Sequence, residues 1–162
     1  MTPLVVGLGN RDRGDDAVGL LVGRRMAGDR LPGVEVVEQV DPVDLVLGWG
    51  EHAWAVVSDA VVSGAPPGTV IVAEIGDTGA GSRTWARLGL GGTHAFGLAE
   101  AVELSRSLGR LPARVTLVGV EAADVTPGAG LSPEVARAVP EAVERIRDLL
   151  STAKVGGPDV PR

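Results

Sequence analysis

Short apolar runs alternate along the chain with longer stretches of helical period. Leu4–Leu8 is a continuous apolar run with glycines at 7 and 9, as expected of a strand buried on both faces that stops in a tight turn. Apolar positions at Val18, Leu21 and Val22 predict a first helix over residues 16–26, ending near Gly28. Residues 34–38 read as a second strand. Two strands joined by one helix of this length form a βαβ unit, which implies a parallel pair and a right-handed crossover. Residues 41–47 predict a short helix, with Asp41 as N-cap and Pro42 at the first helical position. Residues 53–58 form the third strand, which closes on Asp59.

The turn Gly64-Ala65-Pro66-Pro67-Gly68 leads into a fourth strand over residues 69–74. The link is too short for a helical crossover, so this strand is expected to run antiparallel to the third. Apolar positions at Leu98, Ala101, Val102 and Leu104 predict a helix over residues 93–108. Residues 114–120 form the fifth strand. Ser132-Pro133-Glu134 opens a last helix, with Ser132 as cap, that reaches Leu150 and that Pro140 is expected to kink or restart.

Strands alternating with helices imply an α/β fold, a three-layer α/β/α domain with a five-stranded mixed, mostly parallel sheet. It is expected to occupy residues 1–152 as a single domain, followed by a flexible tail at 153–162. Residues 76–92 carry six glycines in seventeen positions. A connection of that length inside a compact domain usually means mobility or a binding role.

Composition narrows the chemistry. A chain of 162 residues is long enough to bury roughly 70% of its extended surface. With one Phe and three Trp, its core must be built from Val, Leu and Ala. The absence of cysteine removes thiol nucleophiles, disulfides and Cys-based zinc sites. A net charge of −6 without a basic cluster argues against a nucleic-acid partner. No apolar run approaches a membrane span and no secretory h-region opens the chain, so a soluble cytoplasmic protein is expected.

Ligands of an open, mostly parallel sheet bind at the carboxyl ends of the strands, where strand order reverses. Asp15 and Asp16 follow the first strand, and Asp59 ends the third. If the second and third strands flank the first, Asp16 and Asp59 share one crevice. The helix begun at residue 93 runs opposite to the strands, which returns His94 to the same rim. Each residue alone has a commoner structural explanation: a helix cap for Asp16, a strand-end turn for Asp59, packing or capping for His94. Together, two carboxylates and an imidazole with open positions suit a divalent transition ion, without choosing among nickel, zinc and manganese. A helix N-terminus would keep the imidazole neutral, as metal binding requires. His52, beside Glu51 and near Trp54, has no evident partner and reads as a surface histidine.

Other chemistries lack their residues. No Gly-x-Ser-x-Gly elbow occurs, and the two histidines are too far apart for His-Glu-x-x-His. The single lysine, Lys154, lies far from any Walker loop. Gly7-Leu8-Gly9 begins a dinucleotide motif, but Asp12 stands where its third glycine belongs. Only Glu38, placed to meet a ribose, keeps a nucleotide-binding enzyme in view.

Gly7-Leu8-Gly9-Asn10 followed by Asp15-Asp16-Ala17-Val18-Gly19 resembles the opening of the hydrogenase maturation proteases. The resemblance continues at Val57-Ser58-Asp59-Ala60-Val61 and His94-Ala95-Phe96-Gly97-Leu98-Ala99. It returns at Thr116-Leu117-Val118-Gly119-Val120-Glu121 and Leu131-Ser132-Pro133-Glu134-Val135, so that it spans residues 4–150. It implies an endopeptidase that trims the C-terminal extension of the large-subunit precursor of a nickel–iron hydrogenase. Asp16, Asp59 and His94 would then be metal ligands that grip nickel already seated in the substrate, other divalent ions remaining open. Asp16 or Asp59 acting as catalytic base is equally compatible. The resemblance leaves room for a partner that grips the nickel-loaded subunit without cutting it.

Overall fold

The structure, a computed structural model, describes residues 2–39, 41–76, 85, 87, 88 and 97–155. Five strands form one sheet: β1 (Leu4–Leu8), β2 (Glu35–Gln39), β3 (Trp54–Val61), β4 (Val70–Glu74) and β5 (Arg114–Glu121), in the order β2-β1-β3-β5-β4. β1 pairs in parallel with both β2 and β3, and β3 pairs in parallel with β5. Among the described residues only β4 is antiparallel, against β5. The mixed, mostly parallel sheet expected from the alternation of elements is therefore present.

Among the described residues, four helices cover the sheet: α1 (Val18–Gly28), α2 (Pro42–Gly48), α3 (Leu98–Ser107) and α4 (Pro133–Val155). Inward positions of each strand alternate between two cores, as the pleat requires. Leu4, Val6, Ala55, Val57 and Leu117 pack under α2 and α3. Val5, Val56, Val118 and Val120 pack under α1 and α4. These are the three layers. Among the described residues, no helix is long and apolar enough to cross a membrane.

Several boundaries differ from the periodicity. β3 runs on to Val61 because β5 continues beside it, so Asp59 lies inside the strand, opposite Gly119, and not after its end. Asp16 does not begin α1; it sits in a separate 3-10 turn, Gly14–Ala17. α3 begins at Leu98, because Gly97 is extended and Glu100 reaches back to accept its N–H at 2.9 Å. Pro140 does not restart α4: one 23-residue helix runs through it. The buried stripe Val135, Val139, Val143, Ile146 and Leu150 holds both halves against the sheet. Most of the glycine-rich stretch 76–92 lies outside the described residues. Of it, Trp85 and Leu88 join the core beneath α3, where the Trp85 indole donates to Glu103 at 3.2 Å.

Candidate active site at the carboxyl edge of the sheet

β1 leads to β2 on one side, and the chain then crosses back to lay β3 on the other. This is the reversal of strand order at which α/β sheets bind ligands. The pairing of β1 with β3 ends at Gly7 and Ser58. Asp59 is the next residue of β3, where β1 still pairs with β2 through Leu8 but no longer with β3. The turn that follows β1 carries Asp16 to the other side of the same gap.

Glycines make the approach possible. A Cβ on Gly19 would lie 2.1 Å from the Leu8 carbonyl oxygen and 2.3 Å from that of Ser58, so α1 seats its first turn directly on β1 and β3. Gly9 has φ +151°, and a Cβ there would lie 2.1 Å from the Asp16 carbonyl oxygen. The Asn10 N–H donates to that same carbonyl at 3.2 Å, closing the turn on itself.

The two adjacent acids have separate fates. Asp15 is fully buried, and its carboxylate accepts from the N–H groups of Ala123 and Asp124, each at 2.8 Å. It also accepts from the Ser132 N–H at 2.7 Å and the Ser132 hydroxyl at 2.9 Å. Burial pushes the Asp15 carboxyl up. The N–H groups of Asp124, Ser132 and Ala123, with the Ser132 hydroxyl, outweigh that and hold it below its ordinary value. Asp15 is thus a structural anchor between the first turn and the loop after β5.

Asp16 is half-buried and caps neither the 3-10 turn nor α1 with its side chain. Burial raises its pKa, against the lowering charge of Arg13 and the Asn10 backbone. Asp59 is buried, and among the described residues its carboxylate accepts one hydrogen bond, from the Ala60 N–H at 2.8 Å. Its pKa is pushed well above the ordinary value, first by burial and then by the charge of Asp16. The charge of Asp16 thus reaches the Asp59 carboxyl across the gap where the strand order reverses. Like charges drawn together this way are a common mark of a functional site.

His94 lies outside the described residues. Among those described, no three His, Asp or Glu side chains gather in a metal-binding group. The oxygen donors present suit a hard or borderline divalent ion, and two carboxylates alone leave most of its coordination sphere open.

Two further expectations change. His52 is not a free surface side chain. Nδ1 lies 2.6 Å from the Thr2 carbonyl oxygen and Nε2 2.8 Å from Glu35, which ties together the amino ends of β1, β2 and β3. Glu38 pairs with Arg11 at 3.1 Å and Arg24 at 3.4 Å, so the carboxylate expected to meet a ribose is already engaged. Sequence reasoning also missed Glu121, buried at the end of β5. It accepts from the Ser63 N–H and hydroxyl and from the Gly64 N–H, fixing the exit of β3. An acid closing an otherwise apolar strand was the available signal.

A family model described as HycI, hydrogenase maturation protease, matches residues 41–149, a span that contains Asp59 and His94. A comparison with curated proteins finds no match. Among solved structures, the chain is similar to the hydrogenase maturating endopeptidase HybD from Escherichia coli. The identity is 25% and the TM-score 0.76, over 94% of each chain. It is similar to a [NiFe] hydrogenase maturation protease HybD from Thermococcus kodakarensis at 29% identity and TM-score 0.73, covering 92% of this chain and 99% of that one. An endopeptidase from Escherichia coli, solved in solution, matches at 26% identity and TM-score 0.78, over 94% of each chain.

Proposed function

The chain belongs to the hydrogenase maturation protease family, and we propose that it removes the C-terminal extension from the large-subunit precursor of a nickel–iron hydrogenase, using nickel already in that precursor to recognise it. Membership makes the chemistry peptide-bond hydrolysis. The observation that carries the finer reading is the buried Asp59 carboxylate, destabilised by Asp16 across the gap at the strand-order reversal. A buried carboxylate held close to a second one, with Arg13 acting on Asp16 alone, gains from a divalent cation, and one carried in by another protein would bring its own backbone with it. In this reading Asp16 and Asp59, with His94, hold the substrate's nickel and so set the scissile bond against the carboxyl edge of the sheet. A carboxylate whose pKa is raised can exchange a proton nearer neutral pH, so either acid can serve as base for the attacking water. In this reading the chain acts in the cytoplasm.

The test is incubation with nickel-loaded and nickel-free precursor, followed by mass spectrometry of the precursor. Shortening of the loaded form alone is expected. Capture of the loaded precursor without shortening would identify a non-cleaving checkpoint protein and overturn the protease reading. Equal cleavage of both forms would overturn nickel recognition.

A further inference from the structure

We propose that the groove between α1 and α4 receives the first residues of the substrate's extension, as an apolar peptide segment with an acidic side chain, an inference that rests on the C-terminal processing reading above. Two contiguous cavities, of about 280 and 360 Å³, lie along the outer side of α1 and share Leu21, Arg24 and Leu131. One end is walled by Gly14 and Ala17, which bracket Asp15 and Asp16. The other is walled by Arg25 of α1 and by Ala136 and Val139 of α4. The groove therefore begins at the turn that carries Asp16 and leads away from it. From Ala17 to Arg25 it runs about 12 Å, room for roughly four residues of extended peptide.

The lining is apolar along its length and cationic at its rim. Arg11 and Arg24 share the single carboxylate of Glu38, and Arg25 makes no ion pair among the described residues. Three guanidiniums against one carboxylate leave a local positive surplus on a chain whose net charge is −6. That surplus is complementary to a peptide carboxylate, which Arg binds through paired N–H donors. A protease that cuts off a tail must hold the chain on the tail side of the scissile bond. This groove is continuous with the turn of the proposed site and has the length and charge for that segment.

Binding can be read without any cleavage. Fluorescent, C-terminally amidated peptides of four apolar residues and one Asp, and the same peptides with Asn for Asp, would be titrated by anisotropy against the full chain. The Asp peptides should bind at least fivefold more tightly than the Asn peptides. Arg24→Ala/Arg25→Ala should abolish that difference, and Ala136→Trp, which fills the groove from an exposed helix position, should weaken both. Equal binding of Asp and Asn peptides, or no binding to the unmodified chain, overturns the inference. With nickel-loaded precursor, the double Arg variant should raise KM about tenfold at unchanged kcat, and unchanged KM overturns the groove's part in substrate binding. If the unmodified chain cuts no precursor, the processing reading has failed, while the peptide titration still decides what the groove binds.

Discussion

Ser132 donates twice to Asp15, through its N–H to Oδ1 at 2.7 Å and through its hydroxyl to Oδ2 at 2.9 Å, joining the entry of α4 to the turn before α1 across 117 residues. With the two N–H groups of Ala123 and Asp124, this leaves no exposed lone pair on a fully buried carboxylate. The pair explains why an acid next to the proposed site belongs to the scaffold.

Asp15→Asn replaces an acceptor by an amide whose NH₂ faces N–H donors. The loss should be about 2–4 kcal/mol of stability, read from urea denaturation. Because Asp15 is held below its ordinary pKa of 3.8 in the fold, its contribution is complete above that value and fades as the pH falls below it. The difference between the variant and the parent chain should therefore shrink in acid.

Asp59→Asn should stabilise the protein. In the unfolded chain Asp59 ionises at 3.8, whereas in the fold it keeps its proton to a much higher pH. Over that interval the folded state binds more protons than the unfolded state, so Asp59 costs stability as pH rises. The variant's Tm should exceed the parent's by a few degrees at neutral pH and match it below 3.8. Cleavage of nickel-loaded precursor should fall at least about 100-fold in the same variant.

Asp16→Asn removes the charge that adds to the burial of Asp59. The Asp59 pKa should fall but stay above its ordinary value, because desolvation is the larger cause. A carboxyl-carbon NMR titration of the labelled protein reads this directly, and an unmoved Asp59 would show that the two acids do not share a gap.

Gly19→Ala places a methyl group against two backbone oxygens that cannot rotate away. α1 would have to lift from β1 and β3, costing about 3 kcal/mol or more. Any folded fraction should show a lower Asp59 pKa, since a lifted α1 draws the Asp16 turn away and admits water.

His52→Ala loses two bonds at the amino edge of the sheet, opposite the site. A loss of about 1–2 kcal/mol is expected, with kcat/KM for precursor unchanged.

Much of this protein was legible before any coordinates. Apolar runs of five or so residues, spaced by helical stretches and turn glycines, specify α/β alternation because burial on both faces of a sheet and on one face of a helix leaves different periods. The short 64–68 turn specified the one antiparallel strand, since no helix fits in it. Those constraints are local, and they were enough to put Asp16 and Asp59 at one edge. Partnership is not local. Asp15 and Asp16 are neighbours of the same chemical type, and only the loop 108 or more residues away decides that one is anchored and the other faces the gap. The lengthening of β3 past Asp59, the pinning of His52 and the single helix through Pro140 likewise depend on what packs alongside, because hydrogen-bond partners and buried faces are supplied by distant segments that a window of sequence does not contain.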